Sequence, residues 1–69
     1  MTQRAFKVSI SKGGETLGEN ALCANSERAA LIEGMKLFLD KDWKGASFEV
    51  REDGVATGPE SVLFAVVVS

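Results

Sequence analysis

Apolar and polar positions alternate strictly in the stretch Phe6-Lys7-Val8-Ser9-Ile10-Ser11: Phe6, Val8 and Ile10 fall on one face and their neighbours on the other. That period of two is the mark of a half-buried strand. Gly13-Gly14 follows, and a Gly-Gly pair between two strand-like runs predicts a two-residue hairpin turn flanked by Lys12 and Glu15 as an opposite-charge pair. The returning run, Thr16 to Ala24, is less regular. Counting straight back from the turn sets Val8 against Glu19, and burying a lone carboxylate is costly. A one-residue bulge near Gly18-Glu19-Asn20 instead sends Glu19 to water and brings Leu22 and Ala24 inward.

From Asn25 to Lys41 the period lengthens. Asn25 or Ser26 is suited to cap a helix, since either side chain accepts from first-turn N–H groups. At 100° per residue Leu31, Ile32, Met35, Phe38 and Leu39 make one stripe, expected to face a sheet. Ala29, Glu33, Lys36 and Asp40 form the solvated side, and Ala30, Gly34 and Leu37 a lateral one. Alternation returns at Ser47-Phe48-Glu49-Val50-Arg51, with Phe48 and Val50 inward. A loop marked by Asp53-Gly54 and Gly58-Pro59 leads to Ser61-Val62-Leu63-Phe64-Ala65-Val66-Val67-Val68-Ser69. There Val62, Phe64, Val66 and Val68 share one face, and Leu63, Ala65 and Val67 the other. The order strand, strand, helix, strand, strand predicts an α+β domain over 1–69. Its expected form is ββαββ, a four-stranded, mostly antiparallel sheet with one helix packed on one face.

Composition then narrows the chemistry. The chain has 69 residues, no His, no Tyr, and Cys23 as its single cysteine. An internal disulfide is impossible, and one cysteine without histidine cannot build a structural zinc site. Small chains without such staples rely on an efficient core or on oligomerisation. Without His the commonest general base near neutral pH is missing. Cys23 reads as a small buried hydrophobe rather than a nucleophile. Asp40-x-Asp42 and the group Glu52, Asp53 and Glu60 read as solvated turn charges. The sequence therefore predicts no enzyme, no cofactor and no metal.

Eight basic residues against ten acidic give a net charge of −2, and the basic ones are scattered. Nucleic-acid binders cluster positive charge to neutralise phosphates, so direct nucleic-acid binding is not expected. The first ten residues lack the apolar segment of a secretion signal, and the apolar run near the C-terminus is far short of a membrane span. With a free thiol, these features predict a cytoplasmic protein with no membrane partner.

What remains points to a protein partner. Leu63 and Val67 form an apolar strip rimmed by Glu49 and Arg51, the usual appearance of an interaction surface. Trp43, just past the helix, reads first as a cover for its own core and second as a binding anchor; Leu37 extends the lateral helix stripe, and Glu52 and Asp53 add acidity. An apolar last strand lying at a sheet edge would also invite pairing with another chain, a homodimer included.

Three resemblances bear on this surface. The stretch Asn25 to Leu39 looks like the ribonuclease H helix, but Ala30 stands where that family has a catalytic Glu. The first strand also lacks its metal-binding Asp, so ribonuclease activity is not implied. An inert half-fold of antitoxin type is what that likeness leaves. Trp43 to Val50, followed by an apolar strand, is loosely similar to dodecin-like flavin carriers, which implies self-assembly and Trp43 as the stacking residue. In size, topology and mild acidity the whole chain resembles small phage-encoded host-takeover proteins, anti-CRISPR proteins and phage inhibitors of bacterial RNA polymerase among them. That resemblance is one of layout and carries no site residues. It implies an inhibitor occupying a nucleic-acid-processing complex, with Glu49, Glu52, Asp53 and Glu60 presented to a basic groove.

Overall fold

The computed structural model describes residues 3–54 and 61–68. Strands β1 (Arg4–Lys12) and β2 (Glu15–Ala24) form the hairpin, α1 spans Glu27–Leu37, and β3 (Ser47–Glu52) and β4 (Val62–Val67) follow. The sheet order is β2-β1-β3-β4, and every neighbouring pair is antiparallel. The α+β expectation holds. β2 and β3 both run antiparallel to β1, on its two sides, so the chain must cross over β1 to pass from one to the other. α1 makes that crossing and covers one face of the sheet.

Gly13 and Gly14 both have positive φ, 62° and 82°, which suits the tight turn of a hairpin and is strained for any residue with a Cβ. Lys12 opposes Glu15 across the turn as expected, but its ammonium reaches Asp42 Oδ2 at 2.8 Å instead. The expected bulge is present, one residue earlier than Gly18. Thr16 opposes Ser11 and Gly18 opposes Ile10, so Leu17 is the extra residue. The shift sets Leu22 opposite Phe6 and Ala24 opposite Arg4, on the helix side, and leaves Glu19 exposed. It also corrects the reading of Cys23, which alternates outward between Leu22 and Ala24 and is exposed.

The core lies between α1 and the sheet. Phe6, Val8, Ile10, Phe48 and Val50 are its largest fully enclosed side chains. From α1 and the turn after it come Ala30, Leu31 and Phe38. The helix is rotated from the expected stripe: Ala30 and Gly34 face the sheet, whereas Ile32, Leu37 and Leu39 are exposed. Gly34 decides this. A Cβ there would lie 2.5 Å from Val8 Cγ1, so the helix axis comes closest to the sheet at its smallest side chain. The large residues flank that contact.

Ser26 caps the helix, its Oγ accepting from Ala29 N at 3.2 Å. At the other end Trp43 Nε1 donates to the Phe38 carbonyl at 2.8 Å. Asp42 anchors the following turn, accepting from Lys12 Nζ and, at 3.1 Å, from the Lys44 N–H. The hydrogen bond from Lys12, then that from Lys44, then the Lys12 charge hold the Asp42 carboxyl below its ordinary value. A carboxyl lowered in the folded state stabilises above its unfolded pKa, and loses that contribution as pH falls through the folded one. Asp42→Asn is therefore expected to be less stable than the parent near neutral pH and to converge with it in acid. Chemical denaturation across a pH series checks this; a constant difference at all pH values would refute the ion-pair account.

Candidate functional site

With α1 on one face, the opposite face of the sheet is where the sequence places its candidate surface. Its residues are fixed by register. One cross-strand row runs Ala21, Lys7, Arg51, Val62; the next runs Glu19, Ser9, Glu49, Ala65; a third runs Thr16, Ser11, Ser47, Val67. A row centred on two cations thus lies beside a row carrying two carboxylates. Lys7 Nζ is 4.0 Å from Glu19 Oε1, and Arg51 Nη1 is 3.5 Å from Glu49 Oε1. Arg51 Nε also donates to Ser61 Oγ at 3.0 Å, and Ser11 Oγ and Ser47 Oγ share a hydrogen bond at 3.1 Å.

The two ion pairs differ in what they can do. The side chains of Arg51 and Glu49 are only 16% and 31% exposed, so they are held in place by the strands and by Ser61. Lys7 and Glu19, at 36% and 51%, are solvated, and such pairs contribute about 0–1 kcal/mol. Arg51 and Glu49 are therefore the preorganised charges of this face. Beside them the chain becomes apolar: Leu63 is 44% exposed and Val67 72%, with Ala65 between them also exposed. Val62 departs from the expected pattern. A register shift pairs it with Arg51 and makes Leu63 the extra residue, so Val62 is not packed with Phe64, Val66 and Val68 against the core.

The predicted site residues do not form one surface. Glu49, Arg51, Leu63 and Val67 meet on the open face. Glu52, one residue beyond Arg51, alternates to the helix side opposite Phe6, where its carboxylate lies 3.6 Å from Arg4 Nη2. Arg4 also reaches Glu27 at 3.6 Å and lies 4.8 Å over the Phe6 ring. Asp53 is exposed after the end of β3 and donates its N–H to the Ala5 carbonyl. Glu60 and the loop expected around Gly58-Pro59 lie outside the described residues. The acidic group expected for a basic groove is thus divided between the two faces.

Trp43 and Leu37 lie on the helix side. Trp43 is half-buried, its ring edge-on to Phe48 at 5.1 Å, with its N–H bonded to Phe38. The indole closes the end of the core, which is a different task from the exposed stacking role implied by the dodecin resemblance. Leu37 is exposed on α1, as are Ile32 on the same helix and Leu39 just past its end. The last two were expected in the core; the sequence signal that marks them as exposed is Gly34, once it is read as the point of closest approach. No family model, curated protein or solved structure matches the chain.

Proposed function

We propose that this domain does no chemistry and acts as a protein-binding inhibitor or regulator, docking its partner on the open face of the sheet. The observation that carries this is the pairing of fixed charges with an uncovered apolar strip: Arg51 and Glu49 beside Leu63, Ala65 and Val67. Apolar contact supplies affinity at such a face, and charges already held in place set orientation without an ordering cost at binding. The finer form of the proposal is the host-takeover role, with a bacterial nucleic-acid-processing complex as the partner. In that form recognition uses the mixed face rather than a purely acidic one, because Glu52 is engaged by Arg4 on the other side.

Binding isotherms against purified bacterial RNA polymerase and CRISPR effector complexes test this. Leu63→Asp and Arg51→Glu are expected to weaken binding by about tenfold or more, equivalent to about 1.4 kcal/mol. Lys36→Glu, on the solvated side of α1, is expected to leave it unchanged. Loss of binding in Lys36→Glu alone would move the site to the helix, and no binding to any of these complexes would remove the host-takeover form.

A further inference from the structure

We infer that β4 pairs with β4 of a second copy, two-fold and antiparallel, joining two four-stranded sheets into one of eight strands. This does not rest on the partner-binding proposal above; it follows from the edge of the sheet rather than its face.

The two edges of the sheet are built differently. β2 carries Glu15, Glu19 and Asn20 and is interrupted by the Leu17 bulge, the devices that keep an edge from recruiting another strand. β4 has no charged residue, no proline and no glycine. Its one irregularity, at Leu63, leaves Phe64 to Val68 in unbroken register with the neighbouring strand and the residue before it.

The direction of its free backbone groups follows from its bonds to the rest of the sheet. Val68 N donates to the Ala46 carbonyl at 2.8 Å, and Val68 O accepts from Gly45 N at 3.1 Å. In an antiparallel ladder alternate residues point both groups the same way. Phe64 and Val66 therefore face β3 like Val68, while Ala65 and Val67 aim their N–H and C=O groups away from the sheet. Among the described residues no strand lies beyond β4.

That arrangement is complementary to itself. Centring a two-fold axis on Val66 sets Ala65 of each copy against Val67 of the other, which matches the outward groups as two doubly hydrogen-bonded pairs. Phe64 then opposes Val68, both half-buried at present because nothing flanks them. On the open face each Glu49 row continues through Ala65 and Val67 of the partner copy into its Ser47. No charge meets a like charge: the row from Glu49 ends on the partner copy's Ser47, and the two Glu49 residues are more than three strand spacings, roughly 14 Å, apart, beyond the screening length of about 8–10 Å in ordinary buffer. A two-fold contact also closes on itself, where a β4-to-β2 contact would propagate. The two exposed strips become one apolar band along the middle of the joined sheet.

The test measures molar mass by light scattering over a concentration series, for the parent and for Val67→Lys. Val67 is largely exposed, so lysine leaves the fold intact but places a charge in the seam. The parent is expected to dimerise, with Val67→Lys raising the dissociation constant by about tenfold or more. A second variant reads the register. Val66→Cys, in a Cys23→Ser background, puts two thiols across the axis and is expected to form an oxidised dimer readily, while Leu37→Cys on the helix does not. A parent that stays monomeric throughout would overturn the inference. So would a dimer indifferent to Val67→Lys, or one trapped equally well through Leu37→Cys.

Discussion

Phe48→Ala is expected to leave most of the protein unfolded at room temperature. Phe48 is completely enclosed near the start of β3, with the Phe38 ring 6.3 Å away and the Trp43 indole standing edge-on at 5.1 Å. Truncating a buried phenylalanine costs about 3–5 kcal/mol, because the apolar transfer energy is lost and a cavity remains. A single core in a chain this short rarely supplies more than about 3–5 kcal/mol in total. The cavity cannot close easily. Phe38 and Trp43 are joined by the Trp43 Nε1 hydrogen bond to the Phe38 carbonyl, and Trp43 lies in the turn held by Asp42. Thermal and urea melts followed by circular dichroism check the size of the loss. Two companion variants locate its origin. Phe48→Leu keeps most of the volume and is expected to fold, and Trp43→Phe keeps a ring while giving up one hydrogen bond, about 1 kcal/mol. If Phe48→Ala cost less than Trp43→Phe, the core would not be centred on this aromatic group.

The same cluster shows what the sequence made legible. Phe48 and Val50 were assignable from alternation, and so were Phe6, Val8 and Ile10, because in a strand the period of two depends on nothing beyond the strand itself. The hairpin was legible for a similar reason, since its turn and both strands are local. Strand order was not: that β1 lies inside and β4 at the edge depends on where the helix crossing sets β3 down. The candidate surface failed at one point that alternation could have settled. Glu49 and Arg51 share a face, so Glu52 must take the other, yet sequence proximity grouped all three. Trp43, an aromatic just past a helix, suits either the core or a binding surface, with the core the favoured reading; the Phe38 carbonyl and the Phe48 ring bear out the core.

The helix is where sequence pattern and structure diverge most. Ranking positions by hydrophobicity placed Ile32 and Leu39 inward and left Gly34 to the side. Helix–sheet contact is limited by distance as well as by polarity, and the residues at closest approach must be small. The helix therefore turns Ala30 and Gly34 toward the sheet, with Leu31 alongside and Phe38 at its cap; Ile32 and Leu37 fall on its flanks, and Leu39 is exposed just past its end.

Gly34→Ala turns this geometry into an experiment with a counterintuitive sign. On helix propensity alone the substitution should stabilise, by about 1 kcal/mol. The added Cβ, however, would sit 2.5 Å from Val8 Cγ1, 2.6 Å from Val8 Cβ and 2.8 Å from Val8 Cγ2. Val8 is fully buried in the inner strand β1, and its Cβ cannot move unless the backbone does. The helix must then lift or rotate, which loosens Leu31 and Phe38 against the sheet as well. Overpacking of this kind costs about 1–3 kcal/mol. Because all three contacts lie inside normal van der Waals distance, the upper part of that range is expected, leaving a net loss of about 1–2 kcal/mol once propensity is counted. Denaturant unfolding measures it directly. Val8→Ala in the same chain removes two of the three contacts, those with Cγ1 and Cγ2, and leaves the 2.6 Å approach to Val8 Cβ, so the relief is partial. The double variant should be more stable than the two single losses predict by about 1 kcal/mol or more, the signature of residues in direct contact. A Gly34→Ala protein more stable than its parent would mean that the helix does not approach β1 this closely, and the exposure of Ile32 and Leu39 would lose its explanation.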